Sequence, residues 1–386
     1  MAVWLLALLG KGRTMKAKII GAVAVVLAVL MIFHVERAWA GPAYVAVDLN
    51  PGALFGPIGA EAWGAGGTQQ VGRGYVGLAS HSVLWNGSAA SYVDLHPSGF
   101  GTSSALNTDG VSQVGYGTPG PGGQSHALLW HGSANNVVDL NPVGFTDSTA
   151  YGVAGAHQVG VGYRLSDGSP RALLWSGEAN SYIDLTPSGF FTCTASGICG
   201  IQQVGYGIGS YASNLPHALL WSGTADSYVD LNPSGFDVSY ANSTSGSKQV
   251  GYGASPSTEN RPHALLWSGL ANSYVDLHPS GFTTSMAFDT NGTQQVGRGM
   301  WSGIDYDALH ALLWNGQASS YVDLHQFLSS DFTSSQALGI DEIGNVVGLA
   351  YDSSGYAHAI LWVPVPEPAT LSLLALGGLA VLRRKK

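Results

Sequence analysis

Residues 93–130 read VDLHPSGFGTSSALNTDGVSQVGYGTPGPGGQSHALLW, and the division of this stretch into strands and turns decides the fold. Val93-Asp94-Leu95 ends a strand, and His96-Pro97-Ser98-Gly99-Phe100 turns the chain, since Pro cannot donate to a ladder and Gly relaxes the backbone. A strand of small residues follows around residues 102–106, then Asn107-Thr108-Asp109-Gly110, whose Asp-Gly pair is a strong hairpin signal. The return strand is Ser112-Gln113-Val114-Gly115-Tyr116, with Gly115 placed where a neighbouring sheet can come close. After a Gly/Pro loop, His126-Ala127-Leu128-Leu129-Trp130 is apolar on both faces, so it has to be covered on both sides. A turn over residues 132–135 leads into Asn136-Val137-Val138-Asp139-Leu140, the fourth strand of a unit of about 45 residues.

The unit repeats along the chain. A Val/Ile-Asp-Leu element places Asp at 48, 94, 139, 184, 230, 276 and 323, and an x-Leu-Trp element places Trp at 85, 130, 175, 221, 267, 314 and 362. Two independent markers therefore give seven units. Four strands per unit, sandwiched between copies of the same unit, describe the blade of a propeller. The expected fold is all-β, a seven-bladed β-propeller over residues 41–363. The body opens with an orphan last strand, Tyr44-Val45-Ala46-Val47-Asp48-Leu49, and ends with an orphan third strand, His358-Ala359-Ile360-Leu361-Trp362. Pairing of these N- and C-terminal strands completes the seventh blade and removes the open edges, which predicts a monomeric ring. A β-solenoid of the same period is the alternative. Composition agrees with either, with 54 Gly and only 10% charged residues, and the 45% hydrophobic content supplies a core.

Both ends read as addresses. Residues 1–40 resemble a secretory leader. Counting from Met15, Lys16 and Lys18 are a basic start, residues 19–33 are a 15-residue apolar run, and Ala38-Trp39-Ala40 is a small-x-small site for cleavage between Ala40 and Gly41. A retained membrane helix is the other reading, but 15 residues at ~1.5 Å each fall short of a ~30 Å hydrocarbon core. Residues 364–386 contain Pro366-Glu367-Pro368, an apolar run to Leu382, and the basic end Arg383-Arg384-Lys385-Lys386. In that order and place they resemble the PEP-CTERM signal of Gram-negative bacteria. The resemblance implies an exosortase-type membrane enzyme as partner, and the cell envelope, cell surface or extracellular matrix as destination. A plain C-terminal transmembrane anchor is the competing reading of the same run.

The repeat itself resembles the HAF family of extracellular repeats. The best match is Ala337-Leu338-Gly339-Ile340-Asp341-Glu342-Ile343-Gly344-Asn345-Val346-Val347-Gly348, followed by His358-Ala359-Ile360-Leu361-Trp362. The likeness spans residues 44–362. It departs locally, as at Arg171 where other units have His, and it implies an extracellular location with no catalytic residues to carry over.

Residues 41–368 hold six basic and 23 acidic residues, a formal charge of −17, which repels nucleic-acid backbones and anionic lipid heads. Contact with a membrane is expected only through the leader and the C-terminal segment. Cys193 and Cys199, with a Ser-Gly pair between them, read as a disulfide stapling one hairpin in an oxidising compartment. His81, His126, His217, His263, His310 and His358 recur once per unit, so they are spread around the ring and read as structural, bonding backbone at the start of a strand. The recurring Asp residues read as acceptors for local backbone N–H groups. No Gly-x-Ser-x-Gly elbow occurs, and Glu61, Glu178, Glu259 and Glu342 are the body's only glutamates before the tail. The reading is therefore a non-enzymatic exported surface or matrix protein without cofactor or metal, ahead of a hydrolase or lyase. The alternative is a multivalent glycan-binding propeller for extracellular polysaccharide. Its candidate platforms are Tyr92, Tyr182, Tyr228, Tyr274 and Tyr321, for which packing within the outer strand is the competing role.

Overall fold

A strand without a polar face needs a neighbour on each side, and the third strand of every unit has this character. In the second unit Ala127, Leu128, Leu129 and Trp130 are all buried. Ala127 and Leu129 face one apolar cluster while Leu128 and Trp130 face another, as the alternation of a strand requires. The computed structural model describes residues 43–120, 122–301 and 309–365. The leader with its Ala40–Gly41 junction, and Pro366, Glu367 and Pro368, lie outside these residues.

Among the described residues there are seven four-stranded antiparallel sheets. They are blade 1 (residues 60–94), blade 2 (102–139), blade 3 (145–184), blade 4 (190–230), blade 5 (238–276), blade 6 (282–323) and blade 7 (332–364, completed by Tyr44–Asp48). Strand order follows the sequence in blades 1 to 6. In blade 7 the fourth place is taken by Tyr44–Asp48, which pairs with Ala357–Pro364 from Tyr44↔Pro364 to Asp48↔Ile360. The ring is a closed seven-bladed propeller, as the two orphan strands predicted. No helix among the described residues is long and apolar enough to cross a membrane.

The core lies between blades. Seven apolar clusters each draw on two adjacent blades, including one that joins Val347, Ala359 and Leu361 of blade 7 to Ala60, Val83 and Trp85 of blade 1. The seven repeat tryptophans are fully buried, as are Leu49, Leu95, Leu140, Leu185, Leu231, Leu277 and Leu324 of the Asp-Leu elements. Burying a large side chain contributes roughly 1.5–3 kcal/mol, so this Trp and Leu are recurrent contributors to every seam.

The repeated His and Asp meet each other. His81–Asp94, His126–Asp139, His217–Asp230, His263–Asp276, His310–Asp323 and His358–Asp48 are joined Nδ1 to Oδ2 at 2.7–2.9 Å. The expected backbone partner of the histidines is thus replaced by a carboxylate that ties the third strand to the fourth. The second oxygen of each Asp does accept a local backbone N–H, as at Asn141 and Asn232, both 2.8 Å. One of the six pairs, His358–Asp48, spans the closing seam.

A second histidine stacks on three of these pairs: His96 on His81, His278 on His263, and His325 on His310, with ring centroids 3.8–4.4 Å apart. His96 Nε2 donates to the Phe100 carbonyl, which leaves Nδ1 to accept from the Ser103 hydroxyl at 2.8 Å. His278 repeats this arrangement with Phe282 and Ser285. The bonds suit a neutral ring. Burial, and then the neighbouring histidine, lower the pKa of His96, His278 and His325 below the ordinary value.

Two outcomes follow from these seams. Removing residues 43–50 takes away one strand pairing of five residue pairs and the buried Tyr44 and Leu49. It should lower the melting temperature of the mature protein by on the order of 10 °C in one cooperative transition. An unchanged melting temperature would refute closure by this strand. The stacked histidines give a pH effect. Their folded pKa values lie below the unfolded one near 6.5, so the unfolded chain binds protons first, and the stability they contribute is present above about pH 7 and lost as pH falls through the folded values. Asp289, with a pKa pushed up to about 6, acts with the opposite sign only below that pH. Melting temperature should therefore fall between pH 7.5 and 6. A H96N/H278N/H325N variant, copying Asn50, Asn141 and Asn232 at the matching positions, should flatten that slope in the same titration.

Candidate functional site

The second strand of each blade carries a glycine at Gly72, Gly115, Gly160, Gly205, Gly251, Gly297 and Gly348. A Cβ there would lie 1.9–2.0 Å from a carbonyl of the first strand of the same blade. The close neighbour of Gly115 is thus its own sheet, at the Ser104 carbonyl, and not the adjacent one expected from the sequence. Beside each of these glycines the first strand is out of register by one residue, always just after an alanine: Ala62, Ala105, Ala150, Ala195, Ala241, Ala287 and Ala337. Such a bulge leaves one residue unpaired and re-aims its side chain.

The unpaired residues are Trp63, Leu106, Tyr151, Ser196, Asn242, Phe288 and Leu338, and all seven line one cavity of about 580 Å³ that every blade shares. From blade 6 through blade 7 to blade 3 these bulge residues form an apolar arc, while those of blades 4 and 5 are polar, beside the Ile198, Cys199 and Tyr206 that blade 4 also contributes. Arg73 lies 4.7 Å from the Trp63 ring centre and is bonded to Glu61 at 3.0 Å, so the indole is backed by a held guanidinium. Arg298 lies 5.6 Å from the Phe288 ring centre and donates to Gln336 at 2.7 Å.

Three acids reach the cavity, and each is bonded across a seam. Asp109 accepts from Gly155 N of blade 3 at 2.9 Å, and Glu342 from Gly67 N of blade 1 at 3.4 Å. Asp289 accepts from the Ser243 hydroxyl at 2.6 Å, Thr290 N at 2.8 Å and Ile340 N at 2.9 Å. Its depth raises its pKa to about 6 against these stabilising bonds, with Glu342 adding to the rise. Burial pushes the Tyr151 phenol to about 12, so it stays neutral. Among the described residues lining the cavity there is no Lys, Arg or His.

The residues singled out in the sequence lie elsewhere. Tyr92, Tyr182, Tyr228, Tyr274 and Tyr321 each meet a phenylalanine edge-on, with centroids 5.4–6.0 Å apart, and Tyr92 and Tyr274 keep 37% and 38% exposure. None of the five lines the cavity. Cys193 and Cys199 are free and belong to a single strand, Phe190–Cys199. Six residue steps of extended chain separate them by ~20 Å, against the ~4.4–6.8 Å between Cα atoms that a disulfide needs. The expected hairpin staple is therefore ruled out: Ser196 is the bulge residue, and Gly197 is where the Asn242 carbonyl of blade 5 comes close. Glu342 lies in a turn at the rim of the cavity lining, while Glu178 begins the short turn Ala179–Ser181. Sequence reading missed the bulge ring, although the residue after the recurring alanine is Trp, Leu, Tyr, Ser, Asn, Phe or Leu while its surroundings repeat.

Comparison with known proteins bears on fold and destination. Residues 364–386 match the PEP-CTERM protein-sorting motif, beginning at the last residue of the strand Ala357–Pro364. No curated protein matches the chain by sequence. The β-propeller domain of the Trilobed protease from Pyrococcus furiosus, which has an open velcro topology, aligns with a TM-score of 0.53 at 9% identity, over 78% of this chain and 95% of that one. A puromycin-hydrolyzing peptidase from Mycobacterium tuberculosis aligns with a TM-score of 0.51 at 12% identity, over 80% of this chain and 51% of that one. At such identities the likeness is one of fold alone. The chain is a β-propeller carrying a PEP-CTERM signal, the mark of an exported cell-envelope protein sorted by exosortase.

Proposed function

We propose that the protein is a non-enzymatic component of the cell surface or extracellular matrix, built from HAF-type repeats and delivered by exosortase after removal of its leader. The observation that carries this reading is the adjacency of the sorting motif, at residues 364–386, to the strand that closes the ring. A non-enzymatic role is supported by the state of the cavity acids. Asp109 and Asp289 spend their oxygens on backbone and hydroxyl donors of their own and neighbouring blades, an arrangement suited to holding the ring together. A multivalent lectin using the five outer tyrosines has weaker support, since each ring is packed on a phenylalanine.

Replacing Pro366, Glu367 and Pro368 with Ala leaves the apolar run and the basic end intact. If the motif is processed, the native protein should end near it, lighter by roughly 2 kDa than the unprocessed form, since about eighteen residues are lost from a 386-residue, 40.0 kDa chain. The variant should keep that mass and stay with the inner membrane. Identical mass and fractionation for variant and native protein would refute exosortase handling. Loss of surface material on deletion of the gene, without accumulation of an uncleaved polymer, is the result expected of a matrix component.

A further inference from the structure

The position after the recurring alanine is the one place in the first strand where every blade presents its unpaired side chain to the shared cavity, and there its seven copies diverge. A ring that needed only packing at this position could fill it with one residue type, as it does with Trp on the third strand. Instead Phe288, Leu338, Trp63, Leu106 and Tyr151 make an uninterrupted apolar arc, and Ser196 and Asn242 stand in the remaining sector. A cavity of about 580 Å³ lies within the ~300–1,000 Å³ usual for small-molecule sites.

The wall chemistry narrows the ligand. Asp109, Asp289 and Glu342 face the cavity, whose lining holds no cation among the described residues; of the two guanidinium groups against its rings Arg73 is already paired with Glu61, so the acids prevail and an anionic ligand is disfavoured. An apolar, aromatic wall joined to a hydroxyl and an amide fits a ligand that is apolar on one face and hydroxylated at its edges. Neutral sugar rings have this form. Trp63 is suited to be the platform, because Arg73, itself held by Glu61, backs the indole and limits its movement.

We propose that the central cavity binds one segment of a neutral saccharide, with sugar C–H faces stacked on Trp63 and its apolar neighbours and hydroxyl groups bonded to Ser196 and to Oδ1 of Asn242, whose Nδ2 already donates to the Ala287 carbonyl at 2.7 Å. The site is one per ring. This rests on the extracellular reading above but not on the absence of catalysis.

Calorimetry on the mature exported protein would use neutral tetrasaccharides of β-1,4- and α-1,4-linked glucose, β-1,4-linked mannose and β-1,4-linked xylose, with oligogalacturonate as the anionic control. The expected result is binding of at least one neutral ligand with one site per chain, and none of the anionic one. Trp63→Ala and Asn242→Ala should each weaken binding by about tenfold or more, and Tyr92→Ala and Tyr274→Ala should not change it. Ser196→Trp serves as a second variant that the bulge geometry accepts, since blade 1 carries Trp at that place. It should keep the native melting temperature and lose binding. No binding of any neutral ligand, several sites per chain, preference for oligogalacturonate, or full affinity in both Trp63→Ala and Ser196→Trp would each overturn the proposal. Bound sugar recovered intact supports both this site and the non-enzymatic role, whereas sugar recovered cleaved keeps the site and removes that role.

Discussion

The third strand of each unit has no polar face, and it must be covered by a blade on each side. Alternate residues of Ala-Leu-Leu-Trp enter different clusters, so a blade with one neighbour would leave a full row of large apolar side chains in water. At roughly 25 cal/mol per Å² of apolar surface, an uncovered end would cost several kcal/mol. An open stack would need capping units with a polar outer face, and the first and last units here have none. Closure is the remaining solution, and pairing of Tyr44–Asp48 with Ala357–Pro364 achieves it. The His358–Asp48 bond then repeats across the seam a contact that five other blades make internally.

A second constraint separates scaffold from site. Where each first strand shifts register, the facing glycine is the residue that lets its carbonyl approach so closely, since any Cβ there would collide with it. The glycine is therefore fixed by the bulge, and the bulge turns one side chain per blade into the shared cavity. That side chain is released from the pairing and packing that dictate its neighbours. The same fold can carry Trp in blade 1 and Ser in blade 4 at equivalent places without disturbing the seams. A symmetric frame thus holds an asymmetric lining.

How much of this was legible in the sequence follows from the physics of each feature. Blade number, strand order and closure were legible because they rest on the spacing of Trp and Asp-Leu markers and on two orphan strands. The His–Asp bond left a visible sign, a separation of 13 residues in His81–Asp94, His126–Asp139, His217–Asp230, His263–Asp276 and His310–Asp323, but its meaning depends on the third and fourth strands being in register. The bulges were hidden because a single extra residue breaks the two-residue alternation without adding a turn signal. The same blindness produced the disulfide expectation. Ser196-Gly197 has the composition of a turn, yet Ser196 is the bulged residue and the strand runs on to Cys199.

The acidic composition, read in the sequence only as a guide to partners, has a structural account. Asp48, Asp94, Asp139, Asp230, Asp276 and Asp323 tie third strands to fourth strands through histidine, and Asp109 and Asp289 bind donors in the blade that follows. These carboxylates replace contacts that basic residues would otherwise make, which is how a body with six Lys and Arg can hold 23 acids without pairing most of them with a cation. The backbone N–H and hydroxyl donors at Asp109 and Asp289 carry no net charge, so those bonds leave the formal excess of acids over bases uncancelled. At the proposed saccharide site, that excess disfavours anionic polymers and leaves neutral ones unaffected. Asp109 and Asp289, which bond one blade to the next, are thus also acids of the cavity lining.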